Sequence, residues 1–218
     1  MIPIEPPIPA DVHTLLLYGG TFDPPHRAHI ELPEHARRSL GIDRTVYIPA
    51  KRSPHKDTGP IASDDDRVAM LHAAIGAQAS VSRIEIDTTD DEPSYTVKTL
   101  ERIRAAMPGV ELRLLIGTDQ AVAFHRWRQP RRIIELAEPV VLLRGDQNAQ
   151  DVIEAMAEHW MPDELAAWKA RFIDGPTIDV SATQARAMLA AGNVEGARTV
   201  LPEAVIEVIQ RRGLYISA

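Results

Sequence analysis

Three consecutive leucines, Leu15-Leu16-Leu17, run straight into Tyr18-Gly19-Gly20, and the next helix-compatible stretch opens near Arg27. An apolar run this short is a strand, and one with no polar alternation is buried on both faces. Glycines at its end let the backbone turn sharply and approach a ligand closely. The helix that follows begins with unpaired N–H groups and a partial positive charge, which suit an anion. His26 and His29 are three residues apart and share one face of such a helix. A bare pair of histidines at this spacing is as readily a surface pair or half a metal site. Here the pair stands in one register with a strand, a glycine turn, Asp23 and a Pro24-Pro25 brake. That corner is built to grip the oxygens of a phosphate. One residue conflicts with it. Pro33 lies inside the helix, where it removes the hydrogen bond to the His29 carbonyl, so the helix is expected to kink or to begin elsewhere.

Apolar strand-like runs recur at 14–18, 45–49, 82–86, 112–116 and 140–143, separated by helix-like segments at 27–40, 65–77, 94–106 and 119–136. Strands alternating with helices at this spacing predict a parallel sheet covered on both faces. The fold class expected is α/β, a Rossmann-like doubly wound parallel sheet with helices on both faces and a small C-terminal helical part. Ligands then bind at the C-terminal ends of the strands. Residues 1–218 read as a single domain, with a proline-rich extended leader at 1–13 and a helical appendage at 147–172. The apolar residues of that appendage, Ile153, Met156, Trp160, Leu165 and Trp168, are expected to pack on the domain's edge rather than to form a lid.

The chain carries a formal charge of −7, so no global basic field recruits nucleic acid. Phosphate binding falls to local clusters, Lys51-Arg52 with His55-Lys56, and Arg126, Arg128, Arg131 and Arg132. Cysteine is absent, which excludes disulfides, thiolate metal sites and cysteine nucleophiles and fits a reducing, cytoplasmic setting. No apolar run approaches a bilayer span and the N-terminus lacks a signal-peptide pattern, so no membrane partner is expected. A homo-oligomer stays open.

Further motifs fall at the ends of strands. The loop from Ile48 to Lys56 follows the second strand and can neutralise phosphates; on its own it is equally a solvated basic loop. At 64–71, Asp64 or its neighbour caps a helix whose Val68, Met70 and Leu71 are core. Pro93-Ser94 starts another helix, with Ser94 as its cap and free N–H groups suited to a carboxylate. Gly117 ends a strand and permits close approach, while Asp119 can accept from ribose hydroxyls. Trp127 is a core tryptophan or a flat surface for stacking an aromatic ring. Ser181 and Gln184 have capping-box form, and Ser181, Thr183 and early backbone N–H groups surround one anion-sized space within reach of Arg186. The C-terminal stretch through Leu214-Tyr215 reads as structural.

Taken together, these blocks resemble the bacterial nicotinate-nucleotide adenylyltransferases, members of the nucleotidyltransferase superfamily marked by a (T/H)xGH motif. Residues 19–29 resemble the signature GGTFDPxHxGH, and residues 181–186 resemble (I/V)SSTxxR. Pro54-His55-Lys56, Pro93 to Leu100 (PSYTxxTL) and Gly117-x-Asp119 with Trp127 narrow the likeness to the nicotinate branch. Departures are Ala28 and Ala182 in place of glycine and serine, Lys98 in place of an acid, Arg128 in place of an aromatic, and a missing arginine before Pro93. Ala28 is expected to narrow the space beside the phosphates.

The resemblance implies transfer of AMP from ATP to nicotinate mononucleotide, with deamido-NAD and pyrophosphate as products. His26, His29 and Arg186 are then catalytic. Gly19, Gly20, Thr21, Phe22, Gly117, Asp119, Ser181 and Thr183 contact ATP. Lys51, Lys56, Tyr95, Thr96 and Trp127 contact the mononucleotide. Mg²⁺ is implied, held mainly by nucleotide phosphates, with no metal-binding residue in the protein itself. The alternatives are an adenylyltransferase acting on nicotinamide mononucleotide or another phosphorylated acceptor, a non-catalytic nucleotide-binding relative and, last, a metal-dependent hydrolase.

Overall fold

The computed structural model describes residues 2–51, 59–88 and 94–216. Among them one sheet of seven strands runs through the molecule: β1 (Ile4–Glu5), β2 (Thr14–Gly20), β3 (Arg44–Pro49), β4 (Ala79–Ser82), β5 (Glu111–Gly117), β6 (Glu138–Arg144) and β7 (Phe172–Gly175). Their order is β1-β4-β3-β2-β5-β6-β7, with every pairing parallel except β1 against β4. The six parallel strands follow the doubly wound order, and the direction of winding reverses between β2 and β5. The crevice for a ligand therefore lies beyond Gly20 and Gly117, the last residues of those two strands.

The leucine run shows why the sheet is buried on both faces. Leu15, Leu16 and Leu17 are all 0% exposed. Leu15 and Leu17 pack with Val97, Leu100 and Ile103 of α3 (Thr96–Ala106) and with Ile133 and Leu136 of α5 (Pro130–Leu136). Leu16 points the other way, into Ala28, Leu32 and Ala36 of α1 (Arg27–Ser39). Alternation along one strand thus feeds two cores. A third core joins Met70 of α2 (Asp64–Ala74) to α8 (Ala182–Ala190), α9 (Val194–Val200) and α10 (Glu203–Arg212).

Several expectations are corrected. The run at 82–86 is not a strand: β4 pairs at 79–82, and the chain then turns, with Asp87 N–H donating to the Arg83 carbonyl at 2.9 Å. Ile84 and Ile86 are buried on different sides without any ladder pairing, which is why the sequence looks strand-like there. The stretch 119–136 is not one helix but α4 (Thr118–Ala123), a 3₁₀ turn (Phe124–Arg126) and α5. Gln129 in left-handed backbone (φ 55°) and Pro130 at the start of α5 force the break. Helix α1 runs through Pro33 without interruption. Between β6 and β7 lie α6 (Ala149–Met156) and α7 (Pro162–Lys169); their Ile153, Met156 and Trp168, with Trp160 in the turn between them, join the core under β5 and β6. Strand β7 went unread because its four residues are only partly covered. Ile4 and Glu5 pair with β4, giving the leader one short strand.

Candidate active site

The corner after β2 depends on a missing Cβ and a strained backbone. A Cβ on Gly20 would lie 2.8 Å from Phe22 Cζ, so glycine lets the Phe22 ring fold back beneath the strand end. Phe22 has φ 52°, a left-handed conformation rare for a bulky residue and frequent at functional sites. Its ring is 1% exposed and meets Tyr18, Tyr47 and His29 edge-on. Phe22 therefore offers a ligand its backbone only; its side chain supports His29.

His26 is the N-cap of α1, with extended backbone, and His29 sits three residues later in the first turn. The rings stack with centroids 3.6 Å apart, and His26 N–H donates to His29 Nδ1 at 3.2 Å. With Nδ1 accepting, the neutral His29 ring carries its proton on Nε2. His26 is 7% exposed, and burial, followed by the charge of Arg144, lowers its pKa from 6.5 to about 4. At neutral pH it is an uncharged imidazole with a single N–H to donate. Ala28, between them, turns its methyl into the core with Leu16, Leu32 and Leu142. It does not narrow the space beside the histidines, contrary to expectation, because the position faces the sheet.

Asp23 joins this corner to two distant segments. Its buried carboxylate accepts from Ile61 N–H (2.8 Å), Ala62 N–H (3.1 Å) and the Tyr215 hydroxyl (2.6 Å). Its carbonyl accepts from Arg186 Nη1 at 2.6 Å, and Arg186 Nη2 donates to Thr183 Oγ1 at 3.3 Å. Ser181 caps α8 by accepting from Gln184 N–H at 3.1 Å, as its sequence form predicts. Arg186 and Thr183 thus reach the loop that carries His26. Arg67 is the second brace. Fully buried, it donates to the carbonyls of Thr21 (2.7 Å) and Ala50 (2.9 Å), fixing the ends of β2 and β3. In the sequence, Arg67 stands out only as an arginine set directly against the core positions Val68, Met70 and Leu71. The helix cap is Ser63, the neighbour of Asp64, and it accepts from Asp66 N–H.

A cavity of 520 Å³ opens beyond the strand ends, bounded by Gly19, Gly20, Thr21 and His29 and, opposite, by Tyr95, Thr96, Gln120, Trp127 and Arg128. Trp127 stacks on Phe124 with centroids 4.8 Å apart, and the Arg128 guanidinium lies 4.7 Å over the Tyr95 ring. Tyr95, rather than Ser94, is the N-cap of α3, and it caps through no side-chain bond. The Ser94 hydroxyl bonds Glu85 instead, and Thr99 Oγ1 donates to the same carboxylate at 2.7 Å. Burial raises the Glu85 pKa, and these hydroxyls partly offset the rise. Glu85 lines the cavity and was not foreseen, since it lies in a segment read as strand.

At the end of β5, a Cβ on Gly117 would lie 2.7 Å from Asp119 Oδ1 and 3.7 Å from Arg144 Nη2. Glycine therefore leaves room for both groups. Arg144, also unforeseen, ends β6 and adds its charge beside His26 and Tyr18, whose phenol burial pushes up to about 12. Lys51 Nζ donates to the Thr88 carbonyl at 2.7 Å. Lys56, with the rest of the Pro54–Lys56 block, lies outside the described residues. The cluster at 126–132 is not one phosphate patch: Arg131 pairs with Glu164, and Arg132 with Glu135 and Glu101. Among the described residues, no group of three acidic, histidine or cysteine side chains converges as a metal site. No helix among them is long and apolar enough to cross a membrane.

Comparison with known proteins follows the same lines. The family model for cytidylyltransferase-like proteins matches residues 17–188. A probable nicotinate-nucleotide adenylyltransferase of Rhodopirellula baltica is 31% identical over 209 residues, covering 95% of each chain. Another, from Roseiflexus castenholzii, is 36% identical over 203 residues, covering 91% of this chain and 96% of its own. Among solved structures, the Plasmodium falciparum nicotinic acid mononucleotide adenylyltransferase complexed with NaAD superposes with a TM-score of 0.64 at 14% identity, covering 93% of this chain and 97% of that one.

Proposed function

The chain belongs to the cytidylyltransferase-like family and, within it, to the nicotinate-nucleotide adenylyltransferases, and we propose that its site transfers AMP from ATP to nicotinate mononucleotide. The mononucleotide's 5′-phosphate oxygen attacks the α-phosphorus of ATP. The bond from that phosphorus to the α,β-bridging oxygen breaks, and pyrophosphate leaves with that oxygen as deamido-NAD forms. The nucleophile is already ionised at neutral pH, so the protein needs no base or covalent nucleophile. Its work is to position two anions and to stabilise charge on the α-phosphoryl group.

The observation that carries this reading is the stacked histidine pair, 3.6 Å apart at the start of α1, tied through Asp23 to Arg186. His26, uncharged at neutral pH, and the Nε2–H of His29 donate to the α-phosphate. Arg186, Thr183 and Ser181 hold the leaving pyrophosphate, and Arg144 adds positive charge from β6. Gly19, Gly20, Thr21 and the Phe22 backbone admit the phosphates; Gly117 and Asp119 receive the ATP ribose. Tyr95, Thr96 and Trp127 border the space for the pyridine ring, with Lys51 and Lys56 toward the mononucleotide phosphate.

Mg²⁺ would enter with the nucleotide, held mainly by phosphate oxygens and water. Bound that way, the ion neutralises charge on the triphosphate. The cytoplasm is the compartment proposed, where ATP is available, and neither nucleic acid nor membrane is a partner.

The test is pyrophosphate release from ATP with nicotinate mononucleotide, nicotinamide mononucleotide and phosphopantetheine compared. His26→Ala and His29→Ala are each expected to lower turnover at least about 100-fold while the fold stays intact. Near-normal turnover in either variant removes that histidine from the mechanism.

A further inference from the structure

We propose that Tyr215, just beyond α10, is a positioning residue for the histidine pair, acting through Asp23. The proposal rests on the functional reading above. The Tyr215 hydroxyl donates to Asp23 Oδ1 at 2.6 Å across 192 positions of sequence. Asp23 is separated from His26 only by Pro24 and Pro25, whose rings fix φ and leave little slack. Wherever the Asp23 carboxylate is held, the N-cap of α1 follows.

The rest of the strap is rigid. Helix α10 ends at Gly213 (φ 63°), and Leu214 N–H then donates back to the Ile209 carbonyl at 3.0 Å. Tyr215 itself has φ 59°, left-handed backbone that a bulky residue adopts at a cost. That cost is met where the surroundings over-determine the conformation, and here the hydroxyl's bond to a buried carboxylate does so. Helix α10 is anchored in turn. Val205, Ile206 and Ile209 pack with Met70 and Ala185, and Arg212 pairs with Asp66 at 2.7 Å. Ala185 lies on α8, beside Arg186. One packed unit therefore holds Asp23 twice, Arg186 on the carbonyl and Tyr215 on the carboxylate. Burial and the neighbouring carboxylate hold the phenol far above its ordinary pKa, so it remains a donor throughout the working range.

Tyr215→Phe removes the hydroxyl and keeps the ring. With ATP and nicotinate mononucleotide, kcat is expected to fall about ten-fold with both KM values within about two-fold, the mark of lost transition-state alignment. Nitrogen-detected NMR should show the His26 and His29 ring resonances moving while those of His13 and His72 stay. In an Asp23→Asn background, Tyr215→Phe should cost less than about two-fold more, because the two residues act as one unit. Tyr215→Leu, which also removes the ring, should lower the thermal midpoint further while lowering kcat no further. If kcat instead tracks stability across the two variants, Tyr215 is a strap only and the proposal falls. It also falls if Tyr215→Phe leaves kcat within two-fold and both histidine rings unmoved. A wild-type chain without adenylyl transfer would overturn the functional reading alone, since the ring resonances report positioning independently.

Discussion

Arg186 Nη1 donates to the main-chain carbonyl of Asp23 at 2.6 Å, joining residues 163 positions apart in sequence. The same guanidinium donates from Nη2 to Thr183 Oγ1 at 3.3 Å. A residue whose place in the motif marks it as a phosphate ligand is therefore also a fastener between α8 and the loop that leads to His26. Its planar fork makes both bonds at once, and an arginine has further N–H donors beyond the two spent on the protein.

Arg186→Lys should expose this double role. A lysine ammonium is a point charge on a flexible stem and cannot keep both bonds in one plane. Turnover is expected to fall roughly 100-fold, a typical cost for a misplaced charge-stabilising donor. The thermal midpoint should drop by about 2–4 °C, as expected for loss of about 1 kcal/mol in a chain of this size. Steady-state kinetics and a melting curve on one preparation check both. A lysine variant with full activity would remove Arg186 from the chemistry.

His26 makes stability depend on pH with a definite sign. Its folded pKa is about 4 against an ordinary 6.5, chiefly through burial. The unfolded chain therefore binds a proton between those values while the folded chain does not. Stability is full above about pH 6.5 and is lost progressively as pH falls toward 4, by roughly 3 kcal/mol on this group's account. Urea unfolding of wild type and His26→Asn at pH 7 and pH 5 measures it. The wild-type loss should exceed the variant's, and parallel losses would show that His26 is not the group responsible.

Ala28→Gly is expected to leave kcat within about two-fold and to destabilise the chain by roughly 1–2 kcal/mol, from helix propensity and a lost buried methyl. The methyl packs against Leu16 and Leu32 in the core, away from the cavity. A marked gain in activity would mean that the methyl does crowd the phosphates, as its place in the motif first implied.

The fate of Ala28 shows which parts of this molecule can be read from sequence. Local chemistry was legible. Leu15 to Gly20 read as a two-sided strand and turn, the helix start at Arg27 held, and Ser181 capped as its pattern predicts. What was hidden depends on the third dimension. Whether Ala28 faces phosphate or sheet is set by the rotation of α1, which one residue cannot specify. Asp23, Arg67 and Arg144 act on partners dozens of residues away, and Glu85 on Ser94 and Thr99 across a loop, and no periodicity records such pairs. Ile84 and Ile86 imitate a strand because burial alternates there without pairing. The 126–132 arginines look like a phosphate patch until Glu164 and Glu135 fold against them.

Substrate choice should follow from the start of α3. Tyr95 caps that helix without a side-chain bond and lines the cavity with Thr96, so a carboxylate is expected to be a better partner for the helix start than a neutral amide. One charge-assisted hydrogen bond contributes roughly 1.5–3 kcal/mol, so kcat/KM for nicotinate mononucleotide should exceed that for nicotinamide mononucleotide about ten-fold or more. Glu85 works against this preference while ionised, being a carboxylate on the same cavity wall whose pKa burial has raised. Glu85→Gln should therefore widen the preference, provided the amide still accepts from Thr99. Trp127→Ala should weaken both substrates and change their ratio little, because stacking on a pyridine ring does not distinguish acid from amide. Competition assays with the two mononucleotides at fixed ATP give all three ratios. Equal efficiency on the two substrates in the wild type would overturn the assignment of nicotinate and leave adenylyl transfer standing.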